Sequence, residues 1–233
     1  MSINITERNI EILKIIVEEY LQTGEVLGSK LLLRKYNLGV SPATVRNDMA
    51  KLENLELVYQ PYNSAWRLPT SKGLRAFVNY LMKQTPDYFL QSESLNIWNE
   101  DIKKLSDFTH KVTFELAKNT KEIAFFIVPE KHIWQYSWVA SFLKRNHKNL
   151  WDSIYSIIQI LEDKFNFIKF IESFPIWEWV NVFIWEENIL PYLKDYTIIL
   201  KPLNIDWNIA YIWLIWGLKM NYSFNISAVR WII

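Results

Sequence analysis

The chain has 233 residues, of which 50% are hydrophobic and 22% are charged, and its net charge is +1. This composition excludes a disordered, collagen-like or low-complexity protein, and the length allows one large domain or two small ones. The absence of cysteine excludes disulfides, thiolate zinc sites and cysteine nucleophiles. The N-terminus has no apolar signal core, and the longest uncharged apolar stretch, residues 209–218, is too short to span a bilayer. We therefore expect a cytoplasmic protein with no membrane segment.

Charge and composition divide the chain into two parts. Residues 1–85 contain 11 Lys and Arg against 8 Asp and Glu, whereas residues 86–233 contain 15 against 17. A stretch rich in Gln, Ser, Asn and Asp, which includes Pro86, interrupts the apolar periodicity between them. The sequence therefore predicts a first domain at residues 1–84, a linker at 85–100 and a second domain at 101–233.

Cap residues and apolar spacing predict two helices at the start of the first domain. Thr6 is a suitable N-cap for a helix that ends at Gly24, and a short second helix runs from about residue 28 to 37. The first helix has apolar residues at spacings of three and four: Ile10, Leu13, Val17 and Tyr20. This spacing predicts one buried stripe.

A third predicted helix carries a surface that suits DNA. Ser41 followed by Pro42 marks its start, and it continues to about Leu55. A helical wheel turns three apolar residues inward: Val45, Met49 and Leu52. The outward face is small and polar, with cationic flanks: Ala43, Asn47, Ala50 and Asn54, flanked by Thr44, Arg46 and Lys51. Small side chains allow close approach to the major groove, and Asn and Arg make paired hydrogen bonds to base edges. An ordinary solvated helix face is the alternative.

A predicted β-hairpin and a fourth helix follow. Residues 57–59 and 67–69 are strands on either side of a loop at 62–65, and residues 71–82 form a helix. Three helices followed by a hairpin indicate a winged helix-turn-helix, in which the third helix enters the major groove and the wing contacts the DNA backbone. The residues that we expect to contact DNA are Ser41, Thr44, Arg46, Asn47, Lys51, Arg67 and Lys72.

The second domain reads as an α+β fold. Its predicted helices are residues 101–118, 152–165 and 223–233. Its predicted strands are residues 122–128, 180–184, 196–200 and 209–214.

Long segments of the first domain resemble a known family. The segments ITERNIEILKIIVEEYLQTGEVLGSKLL and LGVSPATVRNDMAKLENLELVYQPYNSAWRLPTSKG, with the following FVNYLM, are similar to the DNA-binding domain of the heat-inducible transcription repressor family HrcA. The resemblance implies a homodimer that binds a CIRCE-type inverted repeat in double-stranded DNA upstream of chaperone genes and is released on heat shock. It also implies that a GroEL-type chaperonin helps to keep the repressor active.

The second domain resembles the same family in pieces. ELAKNTKEIAFFIVPE and the stretch from about residue 137 onward are similar to its C-terminal region, which is GAF-like and carries an inserted dimerisation element. The segment between these pieces is missing here, so the resemblance implies a shortened GAF-like domain. A two-fold contact could instead come from an apolar stripe on the fourth helix, which is equally able to pack on the first helix: Leu74, Phe77, Val78 and Leu81.

Tryptophan and glycine occur in unusual proportion. The chain has 12 Trp and 5 Gly, whereas average glycine usage is about 7%. Several tryptophans stand where the resembled family has glycine: Trp66, Trp185, Trp207, Trp213 and Trp216. Asp206-Trp207 lies between two apolar runs, where Asp-Gly is the usual hairpin turn because the turn needs positive φ. Our hypothesis is that the source reads UGA as glycine and that the written sequence translates it as tryptophan; the alternative is a genuinely tryptophan-rich protein.

Catalytic chemistry has little support in the sequence. The three histidines, His110, His132 and His147, are scattered without metal-ligand spacing, and no phosphate loop or nucleophile motif occurs. Glu186 and Glu187 favour a solvated turn over a pocket. We expect no enzyme activity, cofactor or metal. Two alternatives to a repressor are a regulator that senses a small molecule through the GAF-like remnant, and a chaperone-docking module with vestigial DNA binding.

Overall fold

The structure is a computed structural model that describes residues 5–23, 39–61, 67–83, 104–141, 155, 158–159, 161–173, 180–188, 193–205, 207–217 and 219–232. The chain divides into two compact units, Met1–Thr85 and Pro86–Ile233. Several predicted features lie outside the described residues: the helix at about 28–37, the loop at 62–65, Trp66, the linker at 85–100 and His147. None of the helices within the described ranges is both long and apolar enough to cross a membrane.

The first unit contains three described helices and a small hairpin. Its elements are α1 (Glu7–Thr23), α2 (Pro42–Asn54), β1 (Val58–Tyr59), β2 (Leu68–Pro69) and α3 (Ser71–Lys83). The two strands are antiparallel, with Val58 opposite Pro69 and Tyr59 opposite Leu68. Types and positions match the elements predicted from the sequence for these residues.

Local signals account for where the helices begin. At α1, the Asn9 backbone N–H donates to the Thr6 hydroxyl at 3.2 Å, and the Thr6 backbone N–H donates to the Asn9 amide oxygen at 3.3 Å. At α2, the Ser41 hydroxyl accepts from the Thr44 backbone N–H at 3.2 Å, with Pro42 in the first turn. Both caps satisfy backbone donors that a helix start leaves open.

The helices of this unit share one apolar core. The inward residues predicted for α2 are buried, as are two of the α1 stripe: Val45, Met49, Leu52, Leu13 and Val17. α1 packs against both α2 and α3. Ile10 and Tyr20 of the predicted stripe are only partly buried.

Helix α3 uses its apolar stripe inside the unit. Leu74, Phe77 and Val78 are buried and α3 packs on α1, so these side chains serve the core rather than an exposed two-fold contact. Gly73 is required here, because a Cβ at this position would lie 1.9 Å from the Leu57 carbonyl oxygen. α3 therefore lies directly against the chain that enters β1.

The second unit is built on one antiparallel sheet, so it is α+β as predicted. Its elements are α4 (Leu105–Thr120), β3 (Ile123–Val128), β4 (Ile133–Ser137), α5 (Lys164–Ser173), β5 (Asn181–Ile184), β6 (Tyr196–Ile205), β7 (Asn208–Gly217) and α6 (Tyr222–Arg230). The strand order is β4-β3-β7-β6-β5. The first and last strand pairs along the chain are hairpins, whereas β3 pairs with the distant β7, placing Ile123 opposite Ile215.

Apolar side chains cover both faces of the sheet. All six residues of β3 are buried. Phe126 contacts Phe108 of α4, with ring centroids 6.0 Å apart. The neighbouring Phe125 points to the other face and stacks on Trp213 at 4.8 Å, and Trp213 lies 4.9 Å from Phe167 of α5. The sheet is therefore sandwiched by helices, with an aromatic cluster under α5.

Several predicted boundaries in this unit are wrong, and one strand is absent from the prediction. The predicted helix at 152–165 does not run on to its expected end: Asp163 is not helical, and its carboxylate accepts from the Asn166 backbone N–H at 3.4 Å at the start of α5. Strand β4 was not predicted, and β6 and β7 each extend to ten residues, beyond the expected 196–200 and 209–214. α4 begins at Leu105 rather than at residue 101, because Lys104 already has extended backbone.

Among the described residues of this unit, three tryptophans have left-handed backbone. Trp138, Trp185 and Trp207 have φ values of 77°, 53° and 66°. Ile205 pairs with Asn208, which leaves a two-residue hairpin connection at the position predicted for Asp-Gly. The expected positive φ at Trp207 is confirmed, and its side chain is 95% exposed.

Candidate nucleic-acid interface

The outward face of α2 is exposed as its helical wheel predicts. Six of its residues are solvent-exposed, and Thr44 is partly buried: Ala43, Arg46, Asn47, Ala50, Lys51 and Asn54. Within the described part of the chain, the side chains of Arg46, Asn47 and Lys51 have no hydrogen bond or ion pair. Two cations and an amide are thus held on a rigid helix and left to interact with a partner.

Ser41 and Thr44 have a local task at the start of α2. Besides capping the helix, the Ser41 hydroxyl lies 2.9 Å from the Thr44 hydroxyl. Their hydroxyl groups therefore stabilise the first turn. Pro42 has no backbone N–H and the Thr44 N–H is used by the cap, so the positive end of the helix dipole is the feature of this turn that favours an anion such as phosphate.

Asp48 fixes α2 on α1, although the sequence analysis assigned it no role. Its carboxylate accepts from Arg8 Nε at 2.6 Å, from Arg8 Nη2 at 3.3 Å and from Asn9 Nδ2 at 3.0 Å. The Asp48 side chain is 2% exposed. Its place between Val45 and Met49 on the inward arc is the sequence signal for such a role, because a buried carboxylate needs a partner.

The network lowers the pKa of Asp48. Burial acts to raise this pKa, but hydrogen bonds from Arg8 and Asn9 and the positive charges of Arg8 and Lys51 outweigh it. The carboxylate is therefore held in its charged form, and this keeps the junction between α1 and α2 closed over the physiological pH range.

Two of the predicted DNA-binding cations are paired inside the unit. Arg67 donates from Nε and Nη2 to one oxygen of Glu53, at 3.2 and 3.0 Å, and its side chain is only 19% exposed. Lys72 Nζ lies 2.9 Å from the Glu56 carboxylate, with both side chains largely exposed. Sequence reasoning missed these carboxylates, which lie at the end of α2 and just after it.

Backbone contacts hold the hairpin at the end of α2. The Thr70 hydroxyl donates to the Glu56 carbonyl at 2.5 Å and accepts from the Gly73 N–H at 3.0 Å. The Thr70 N–H donates to the Leu57 carbonyl at 3.1 Å. The end of α2, the hairpin and the start of α3 therefore form one hydrogen-bonded junction.

In the described ranges, the residues that could bind a metal ion or transfer protons do not form a group. No cluster of three or more His, Asp or Glu side chains suits a metal ion there. His110 and His132 are exposed and far apart along the chain. Glu186 and Glu187 are exposed in a turn, where Glu187 accepts from the Ile184 backbone N–H at 2.8 Å, as expected of a solvated turn.

Comparison with known proteins identifies one family. The sequence model of the "HrcA protein C terminal domain" matches residues 69–226, more than half of the chain. The heat-inducible transcription repressor HrcA of Alkaliphilus metalliredigens is 39% identical over 131 residues, covering 51% of this chain and 38% of that protein. The protein of the same name from Thermomicrobium roseum is 51% identical over 85 residues, covering 36% and 24%.

These matches are partial. A third HrcA, from Streptomyces avermitilis, is 40% identical over 120 residues, which are 52% of this chain and 36% of that protein. The matched stretches therefore span less than two-fifths of the length of these relatives. A crystal structure at 2.2 Å resolution, described as a hypothetical protein, has a TM-score of 0.78 and covers 98% of this chain and 96% of its own. At 19% identity, this likeness shows the fold alone.

Proposed function

The chain belongs to the HrcA family of heat-inducible transcription repressors, and on that premise we propose that it binds duplex DNA sequence-specifically and represses chaperone genes. This is the family that the sequence resemblance indicated. The relatives compared above are named as repressors, so no enzyme activity is assigned to this chain.

The outward face of α2 is the observation that carries the proposal. Arg46, Asn47 and Lys51 project from a capped helix, and Ala43 and Ala50 beside them leave room for close approach. Guanidinium and amide groups are the side chains that read guanine and adenine edges in the major groove. We therefore assign α2 as the recognition helix of a winged helix-turn-helix, in which β1 and β2 form the base of the wing.

Phosphate contacts would supply most of the affinity. Ser41 and Thr44 lie at the start of α2, where the positive end of the helix dipole favours phosphate oxygens. Lys72 is an exposed cation whose pairing with Glu56 is a surface ion pair, worth little in water and easily exchanged for a phosphate. Neutralising phosphates makes binding strongly dependent on salt.

The finer features of the proposal rest on the family. A homodimer would place two recognition helices on the half-sites of a CIRCE-type inverted repeat, because operator symmetry mirrors protein symmetry. The second unit would be the shortened GAF-like domain that supports dimerisation and regulation, with a GroEL-type chaperonin as a further partner.

Binding across salt concentrations tests the proposal. The chain is titrated with a CIRCE-type duplex and with a scrambled duplex of equal length and composition. We expect steep salt dependence for both and a preference of about 4–10 kcal/mol for the operator. Absence of salt-dependent DNA binding would overturn the proposal and favour a docking module. Salt-dependent binding without preference would overturn the assignment of the CIRCE-type operator. A small molecule that raises the melting temperature would instead point to ligand sensing.

A further inference from the structure

Arg67 is paired with Glu53, and this pairing indicates a role for Arg67 other than phosphate contact. We infer that Arg67 is a positioning residue, which holds the hairpin at a fixed angle to the recognition helix α2 through Glu53; this inference rests on the proposed DNA-binding function. Both guanidinium donors reach one Glu53 oxygen, at 3.2 and 3.0 Å. Arg67 begins the returning chain of the hairpin, and Glu53 lies in the last turn of α2.

Burial distinguishes this pair from the neighbouring one. The side chains of Arg67 and Glu53 are 19% and 36% exposed, against 49% and 79% for Lys72 and Glu56. A charge-assisted contact that is shielded from water is stronger than an exposed one and resists exchange. Moving Arg67 to a phosphate would also leave the Glu53 carboxylate unpaired beside the anionic DNA. Lys72 and Glu56 are exposed enough for water to solvate both charges when they separate, so Lys72 serves as a matched control.

The role of Arg67 is tested by substitution and salt titration. Arg67→Ala and Glu53→Gln are each expected to weaken operator binding on the order of tenfold, with the salt slope unchanged. Lys72→Ala is expected to weaken binding to operator and scrambled duplex alike and to reduce the slope by about one. The double variant Arg67→Ala/Glu53→Gln should bind no worse than either single variant, because both remove the same contact.

Two other outcomes would show that Arg67 contacts a DNA phosphate instead. If Arg67→Ala lowers the slope by about one on both duplexes, or Glu53→Gln tightens binding by releasing Arg67, the positioning role is overturned while DNA binding stands. Amide hydrogen exchange without DNA gives an independent reading. Faster exchange at Leu68 and Thr70 in Arg67→Ala and Glu53→Gln, but not in Lys72→Ala, supports the role; unchanged exchange in all three overturns it.

A second inference concerns the tryptophans and is independent of DNA binding. Six non-glycine residues with positive φ occur in the described ranges, and three of them are Trp138, Trp185 and Trp207. This backbone region is natural for glycine and strained for a bulky side chain. Trp207 is 95% exposed in a two-residue hairpin connection, so no packing compensates the strain.

Two further tryptophans, which pack within the aromatic cluster under α5, bury a donor without a partner. Trp134 and Trp213 bury their indole N–H groups, and neither group has a hydrogen-bond acceptor among the described residues. Buried donors are normally paired, because desolvation without a hydrogen bond is unfavourable. The positive φ of Trp138, Trp185 and Trp207 points to glycine as the residue incorporated at these three positions, which agrees with the low glycine count of the written sequence.

Peptide mass spectrometry of the protein isolated from the organism that encodes it decides this inference. The peptides that contain positions 138, 185 and 207 should have masses that fit glycine. Tryptophan at any of the three positions would overturn it. Peptides from the same digest that lack tryptophan in the written sequence provide the control, because their masses should match without change.

Discussion

At the scale of single residues, Asp48 joins α2 to the rest of its unit. Its carboxylate holds three hydrogen bonds from Arg8 and Asn9. We expect Asp48→Asn to destabilise the first unit by about 1–3 kcal/mol, because it removes charge-assisted hydrogen bonds from a buried site. Urea titration measures the free energy of unfolding, and amide hydrogen exchange in α1 and α2 shows whether the loss lies in the first unit. Loss of stability in the second unit instead would contradict it.

The same residue predicts a pH dependence. The folded pKa of Asp48 lies below its ordinary value of 3.8, so its contribution is complete above that value and is lost as the pH falls through the folded pKa. The stability curves of the wild type and Asp48→Asn should therefore converge in acid. Curves that stay parallel down to the acid transition would show that the charge of Asp48 does not matter.

Substitution of Arg46 tests whether α2 discriminates between DNA sequences. It is exposed on the α2 face and has no ion pair in the described part of the chain. We expect Arg46→Ala to reduce the operator preference, with a loss of about 1–3 kcal/mol on the operator alone. Fluorescence anisotropy with operator and scrambled duplexes measures this. An equal loss on both duplexes would make Arg46 a phosphate contact.

Trp207 links backbone strain to stability. Trp207→Gly should stabilise the second unit by about 1 kcal/mol, because glycine adopts positive φ without the steric cost. Trp231→Gly is a matched control, since Trp231 is also exposed but has an ordinary φ of −87°. Glycine there should be neutral or destabilising. Equal effects at both positions would mean that exposure, not φ, decides the outcome in thermal unfolding.

At the scale of secondary structure elements, Lys201 of β6 closes the end of α6. Its Nζ donates to the carbonyls of Arg230 and Ile232 at 2.7 and 2.6 Å. Burial, together with the charge of Arg230, lowers the pKa of Lys201, so desolvation opposes part of the gain. We expect Lys201→Met to lower the free energy of unfolding, measured in urea, by about 1–2 kcal/mol. Lys131 is exposed, so Lys131→Met is the control. Equal effects of the two substitutions would contradict the capping role of Lys201.

Elements with local signals were predictable, and elements that depend on distant partners were not. Ser41-Pro42 and Thr6 mark helix starts through neighbours along the chain, and the structure confirms both. β4 is only partly buried, so its side chains give no strong periodic pattern, and it exists because it pairs with β3. The start of α5 had a usable signal in Asp163, which the predicted helix ran through.

At the scale of the whole molecule, the sequence predicted the outward face of α2 better than the contacts that hold α2 and the hairpin in place. Composition and periodicity identified which residues of α2 face outward, because a helix wheel needs only local spacing. The partners of Arg67 and Asp48 lie 14 and 40 positions away in sequence, where spacing alone says nothing about contact. Two predicted cations were thus identified without the carboxylates that hold them.

The distance between β3 and β7 along the chain also sets an order for folding during synthesis. The residues of the first unit are synthesised first and contact one another, so this unit can fold while the rest of the chain is still being translated. β3 must wait for β7, because Ile123 pairs with Ile215 and the central ladder has no earlier partner on that side. Non-local strand pairing is slow, and until β7 arrives one edge of the apolar strand β3 and the Phe125 ring that stacks on Trp213 lack their partners. We therefore expect newly made chains to pass through a state in which the first unit is folded and the second is vulnerable to aggregation.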